Sequence, residues 1–415
     1  MHDANAQEAH FLIAPFQGAV RHYHHLMRHL IGSGYRVHLW TMEPIDPALV
    51  EELAPGLRCH RLPLLRGRYG PVAMLRTLAR GFRIGLDHPD AIFTTWTIQT
   101  NLLCGLPLRV LDRRCIFLMA GMGTVFSSDA LRFRIARLLV APVYSWMFRG
   151  DSTRVIVQNG DDLEFVVSVL GVRRDRVYQM WGCGANPGDY PFAERMPERR
   201  PRVVWVPARL IREKGIFEAA RASGILHERG VEHELWFSSD IDPANPLSLT
   251  RAEADALPTW SPAIRVLGYR PSIMPLLEAA HVVCLPTYRE GLPTALIEAA
   301  AYGRPIVTTD AIGLRDLVRH DDTGLVVPVR DPVALADALE RVLSDDALAE
   351  RLRRSAYAHF MRQCTRTATL AQALPAYQSL GLREAAPPGS TSRARPAAAV
   401  ARPGAASPGG SRRGW

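Results

Sequence analysis

At 415 residues, 47% of them hydrophobic, the chain can bury two separate cores, yet no apolar run approaches the ~20 residues of a bilayer-spanning helix. Six scattered cysteines without a C-x-x-C pair exclude a disulfide scaffold and a zinc ribbon. With no signal-like apolar core near Asp3 and Glu8, they make the cytoplasm the expected compartment. The net charge of +9 is concentrated: residues 51–150 hold 14 arginines against 6 acids, whereas residues 201–382 hold 20 basic and 22 acidic groups. An anionic partner is therefore expected for the first half alone.

His10 to Ala14 reads as a strand, Arg21 to Ile31 as a helix ended by Gly32-Ser-Gly34, and Arg36 to Thr41 as a second strand. That is the βαβ opening of a doubly wound sheet. His22, His24, His25 and His29 crowd the helix, but no cysteine or acid cluster accompanies them, and no metal site is assigned. Leu57 to Phe82 alternates leucines with Arg61, Arg66, Arg68, Arg76 and Arg80 and contains no acid, a pattern that suits an anionic membrane surface. Nucleic acid is not expected, because the cations are not interleaved with aromatics in an RNA-binding motif.

Further strands are expected at Ala91–Thr95, Cys115–Ala120 and Thr153–Gln158. Ligands of open α/β sheets bind at the carboxyl ends of the strands. Gly18, Thr95, Trp96, Gly121 and Gly123 lie there and are the acceptor-side candidates. Glycine and proline around Trp181–Gly188, and an aperiodic charged run to Arg200, predict a first domain at 1–190 and a linker at 191–200. A second domain is expected at 201–364, a helix crossing back to the first domain at 365–383, and a disordered basic Pro/Ala/Gly/Ser-rich tail at 384–415.

The second half restarts with the strand Arg202–Val206 and the loop Pro207-Ala-Arg-Leu-Ile-Arg-Glu-Lys-Gly215 before a helix at Ile216–Glu228. Arg209 and Lys214 at the carboxyl end of that strand can grip a diphosphate, one as a fork and the other as a point charge. Lys214 is the only lysine in the chain. Further on, a strand within His281–Pro286 leads into Tyr288-Arg-Glu-Gly-Leu-Pro-Thr-Ala-Leu-Ile-Glu-Ala299. Pro293 suits the first position of a helix that ends at Gly303. Glu290 then lies in the loop and Glu298 inside the helix, so both carboxylates are expected over one ligand at the helix start, where free N–H groups favour a phosphate.

The runs Val206–Ala220 and Tyr288–Ala299 resemble the retaining glycosyltransferases of family 4. The likeness covers nearly the whole chain short of the tail and is strongest from Val203 to Pro328. Ala120-Gly-Met-Gly-Thr-Val-Phe126, Val157-Gln-Asn-Gly-Asp-Asp162 and Asp240-Ile-Asp-Pro-Ala-Asn-Pro246 resemble a bacterial branch that extends undecaprenyl-diphosphate-linked sugars. The resemblance implies an α/β fold of two Rossmann-like doubly wound domains facing across a cleft, the glycosyltransferase B-type fold. It implies transfer with retention from a nucleotide-diphosphate sugar, UDP-linked by expectation, to a lipid-diphosphate-linked saccharide. The enzyme would be peripheral on the inner face of the plasma membrane and need neither cofactor nor obligatory metal.

By position, the resemblance implies that Arg209 and Lys214 bind the donor diphosphate, that Glu290 contacts the donor sugar and Glu298 the ribose. Gly291, Leu292 and Thr294 would offer amides or a hydroxyl, and Gly268-Tyr-Arg270 would lie against the base. Two departures concern the acceptor side and the hinge: the family's G-x-G-V-D is Gly182-Cys-Gly-Ala-Asn186 here, and its common first-domain histidine is not evident in Phe117–Ala120. Two other functions fit the sequence: a nucleotide-sugar-binding subunit of a polysaccharide assembly complex without catalysis, and a nucleotide-sugar epimerase on the same fold.

Overall fold

The computed structural model describes residues 7–64, 70–121, 131–242 and 247–383. Gly123, Arg66, Arg68 and the expected tail at 384–415 lie outside these residues. The described chain forms two parallel sheets. The first contains β1 (Glu8–Ile13), β2 (Arg36–Thr41), β3 (Arg58–Arg61), β4 (Ile92–Trp96), β5 (Arg114–Met119), β6 (Thr153–Val157) and β7 (Val177–Gln179), in the order β3-β2-β1-β4-β5-β6-β7. The second contains β8 (Arg202–Val206), β9 (His233–Phe237), β10 (Ile264–Val266), β11 (Val282–Leu285), β12 (Ile306–Thr309) and β13 (Leu325–Val327), in the order β10-β9-β8-β11-β12-β13.

Parallel strands covered on both faces read as unbroken apolar runs. Val203-Val-Trp-Val206 and Val282-Val-Cys-Leu285 are such runs, and all eight residues are buried. Chain order reverses between β1 and β4 in the first sheet and between β8 and β11 in the second. A crevice opens at such a switch point, outside the carboxyl ends of the strands. Both sheets therefore place their ligand loops before any side chain is considered.

Among the described residues, the arginine-rich stretch after Leu57 is divided between a strand and a helix. Its first part is β3, paired only with β2, where an edge strand tolerates Arg58 and Arg61. The helix begins at Pro71 and runs to Asp87. Pro293 likewise is the residue before the Thr294–Tyr302 helix, because its ψ of 116° is extended. Two single π-helical turns, Asn101–Gly105 and Phe165–Val169, follow β4 and β6 on the ligand side, and neither has a periodicity that reveals it.

The halves are joined twice. Ala185 exchanges backbone hydrogen bonds with the return segment, its N–H to the Cys364 carbonyl and its carbonyl to the Arg366 N–H, both 3.0 Å. The Arg366–Gln378 helix then lies on the first sheet, where the Tyr377 hydroxyl meets Thr94 Oγ1 at 2.8 Å inside the core. Phe192 in the connecting segment packs on Tyr357 with ring centroids 4.6 Å apart. This segment belongs physically to the second core.

Candidate active site

On the second sheet, the loop after β8 ends in a tight turn, Arg212–Lys214, closed by Gly215 at φ +68°. A β-carbon on Gly215 would lie 2.0 Å from the Pro286 carbonyl oxygen, so the position requires glycine on two grounds. This close approach laces the β8 loop to the β11 loop. Tyr288 N–H donates to the Glu213 carbonyl at 2.9 Å, and Thr287 Oγ1 donates to the same oxygen at 3.1 Å. The result is a direct ion pair between Lys214 Nζ and Glu290 Oε1 at the β8/β11 switch point. Residues 76 positions apart thus meet at one spot. Glu290 N–H is fixed in turn to the Ile312 carbonyl at 2.9 Å.

Arg209, in the same loop as Lys214, is exposed and makes no ion pair among the described residues. Next to it a cavity of about 510 Å³ is lined by Leu210, Asp240, Ile241, Leu267 and Gly268, among others. Arg270 is exposed, just beyond the end of β10.

The two glutamates meet different partners. Glu298 is half-buried in the Thr294–Tyr302 helix and accepts a hydrogen bond from the Tyr190 hydroxyl at 2.8 Å. Burial pushes the Glu298 carboxyl up, against the opposing pull of Tyr190, His22 and Arg366. One turn earlier, Thr294 Oγ1 is 3.6 Å from Cys183 Sγ, which is 3.3 Å from His22 Nδ1. Leu292 is buried, and its side chain would meet a β-carbon on Gly182 at 3.2 Å. This face of the helix is therefore closed by the first domain and the connecting segment.

On the first sheet a smaller cavity, about 320 Å³, opens at the carboxyl ends of β4 and β5. Trp96, Thr97, Asn101, Ala120 and Gly121 line it. Thr97 has φ +90°, an unfavourable conformation for a β-branched residue. Thr95 does not face the cavity as a free hydroxyl, since its Oγ1 donates to Asn101 Oδ1 at 2.6 Å. Gly18 lies under the Trp96 ring, with 3.6 Å between a β-carbon there and Cη2. Gly121 and Gly291 bring the two halves together: a β-carbon on Gly291 would lie 2.7 Å from the Gly121 nitrogen.

Among the described residues, three metal-competent side chains converge, Glu8, His10 and His88, with one ligand atom of each within 4.8 Å of the others. They stand at the opposite ends of the first sheet's strands from the cleft. Trp40 Nε1 donates to His10 Nδ1 at 3.1 Å, and burial brings the His10 pKa down to about 2, so its remaining proton stays on Nε2. The helix histidines do not gather: His24 Nδ1 bonds the Val20 carbonyl at 3.0 Å, and His22 turns to Cys183.

The Glycosyl transferase 4-like domain family matches residues 17–180, and the Glycosyl transferases group 1 family matches residues 200–345. The chain belongs to the glycosyltransferases of the B-type fold. Among solved structures, the sucrose-phosphate synthase of Thermosynechococcus elongatus superposes on this chain with a TM-score of 0.74 at 20% identity, covering 90% of this chain and 99% of that one. Anabaena HepE in complex with UDP and glucose gives 0.68 at 15% identity, covering 90% and 100%. A curated relative is the N,N'-diacetylbacillosaminyl-diphospho-undecaprenol alpha-1,3-N-acetylgalactosaminyltransferase of Campylobacter jejuni, 24% identical over 58% of this chain and 64% of the relative. The chain thus spans less than two thirds of that relative's length.

Sequence reasoning did not anticipate Tyr190 as the partner of Glu298, nor Asn159, Asp162 and Arg289 as contacts between the halves. Asp162 lies in the first turn of a short helix, and Asn159 caps that helix. Nothing in their spacing indicates that the same side chains reach a loop more than 120 residues away.

Proposed function

We propose that the protein moves a sugar, with retention, from a UDP-linked donor to a lipid-diphosphate-linked saccharide in bacterial surface polysaccharide or glycan assembly. The observation that carries this reading is the meeting of Lys214 and Glu290 at the β8/β11 switch point, with the exposed Arg209 in the same β8 loop as Lys214. Arg209 and Lys214 hold the donor diphosphate and neutralise the charge that grows on it as the sugar leaves, a task that fixed cations perform without a metal. Lys214 exchanges part of its bond to Glu290 for the phosphate, which frees the carboxylate to meet the sugar. The bond from the anomeric carbon to the diphosphate oxygen breaks, the acceptor oxygen bonds the same face of that carbon, and its proton passes to the leaving diphosphate. Arg270 and the cavity at Asp240 and Gly268 take the base, Gly291, Leu292 and Thr294 line the sugar and phosphates, and Glu298 takes the ribose after Tyr190 yields it. Gly18, Trp96 and Gly121 flank the acceptor.

Two comparisons support this reading. HepE was solved with UDP and glucose, and the Campylobacter relative bears a name with an undecaprenol-linked acceptor. Calorimetric titration with UDP, GDP and ADP tests the donor half: UDP should bind at least tenfold more tightly than the other two. A UDP-sugar panel with a polyprenyl-diphosphate sugar should then release UDP and give a product of unchanged anomeric configuration. Failure of all three nucleotides to bind at millimolar concentration would sink the assignment.

The membrane half of the reading rests on one layer of helices. The helices Pro71–Asp87, Leu106–Val110 and Leu131–Phe148 share a core on one face of the first sheet through Ile84, Leu108, Tyr144 and Phe148. Their outer sides expose Val72, Leu75, Val110, Leu138, Leu139 and Trp146, together with Arg76, Arg80 and Arg83. Apolar side chains set among arginines fit an anionic bilayer surface. No helix of the described residues is long and apolar enough to cross a membrane. The protein should co-sediment with vesicles containing anionic lipid at low salt and come off as salt rises, because screening shortens the reach of the arginines. Equal recovery with neutral vesicles would remove the electrostatic part of this reading.

A further inference from the structure

The loop after β6, Gln158-Asn-Gly-Asp-Asp162, crosses the cleft. Asn159 Oδ1 accepts from Asp162 N–H at 2.7 Å, which fixes the loop at the start of its helix. The Asn159 amide then donates to the Gly291 carbonyl at 2.7 Å and to Asp162 Oδ2 at 3.0 Å. The Asp162 carboxylate, fully buried, takes the Arg289 guanidinium at 2.9 Å. Gly160 N–H donates to Asp316 Oδ2 at 2.5 Å, and Gln179 Nε2 donates to the same oxygen at 3.3 Å. Residues 289 and 291, on either side of Glu290, are thus held by the first domain.

A buried carboxylate parted from its guanidinium is strongly disfavoured unless water reaches it. Asp162 and Arg289 therefore stay paired while the cleft is closed and are both hydrated when it opens. We propose that Asp162 and Asn159 are positioning residues for Glu290: by fixing Arg289 and Gly291 they aim its carboxylate at the donor only when the two domains meet. This rests on the role of Glu290 proposed above. Neither residue touches the donor, so both act on turnover rather than on nucleotide affinity. A purely structural tie would lower thermal stability and leave turnover per folded molecule unchanged.

The test uses the full chain with Asp162→Asn, Asn159→Ala and the double variant Asp162→Asn/Arg289→Gln. Asp162→Asn is isosteric and keeps an acceptor for Asn159, and Asn159→Ala serves if it does not fold. UDP affinity should stay within about threefold of wild type. A loop displaced by about 1 Å can cost about 10²-fold in rate, so kcat should fall 10- to 100-fold at unchanged donor KM. Amide exchange across residues 286–293 should rise at least tenfold, and the double variant should lose no more than Asp162→Asn alone. A kcat within twofold of wild type, or unchanged exchange in that loop, overturns the proposal. Should the wild type bind no UDP, the donor reading fails by itself, and the exchange measurement still decides whether the first domain holds the loop.

Discussion

Glu290→Gln should reduce turnover by about 10²–10³-fold, the cost of losing one preorganised charged contact at a reacting centre, while leaving UDP binding intact or slightly stronger. The two effects separate because Glu290 and Lys214 are paired in the absence of donor. Removing the carboxylate charge frees the ammonium for the diphosphate. Lys214→Ala should act in the opposite way on binding. It deletes one charge-assisted bond to the diphosphate, worth about 1.5–3 kcal/mol, or roughly 10- to 100-fold in UDP affinity, and it leaves Glu290 without a counter-charge. Calorimetry with UDP and UDP release from the turned-over nucleotide sugar, run on both variants, read the two effects. Unchanged turnover in Glu290→Gln would end the assignment of this carboxylate to the sugar. Equal UDP affinity in Lys214→Ala would move the diphosphate elsewhere.

The second half of the chain was far more legible than the first, for physical reasons. Its strands are buried on both faces, so Arg202–Val206 and the Ile216–Glu228 helix coincide with the expected elements. Lys214 and Glu290 stand at strand ends that any doubly wound sheet turns toward its ligand, and their meeting followed from topology. The first half hid more. An edge strand, β3, carries charges where a buried strand would carry valines, so its residues read as part of an amphipathic segment. The π-helical turns after β4 and β6 leave no periodic trace. Glu298 shows a different limit: its place on the helix was readable, but its partner Tyr190 comes from a connecting segment whose path no local pattern dictates. Long-range pairings such as Asp162 with Arg289 are tertiary facts, set by how two independent sheets meet.

Gly291→Ala isolates that meeting. The backbone of Gly291 is not in the left-handed region, so alanine adds no conformational strain within its own loop. The three atoms nearest the added methyl all lie across the cleft: the Gly121 nitrogen at 2.7 Å, the Ala120 carbonyl carbon at 2.8 Å and Gln158 Oε1 at 3.0 Å. Two of these are backbone atoms of the loop leaving β5 and cannot rotate away. The halves must part by several tenths of an ångström, stretching the Asn159 bond to the Gly291 carbonyl on the same residue. Overpacking of this kind costs about 1–3 kcal/mol when the surroundings cannot yield, but here the nearest obstructing atoms belong to the other half, so a parting of the halves relieves it. The loss should therefore appear in closure rather than in folding, with a small change in thermal midpoint and a fall in kcat of about 10- to 100-fold. Small-angle scattering should show a larger radius of gyration for the variant than for the wild type, each saturated with UDP. A variant that is as compact and as active as wild type would mean that the contact of the two glycines is not part of the working conformation.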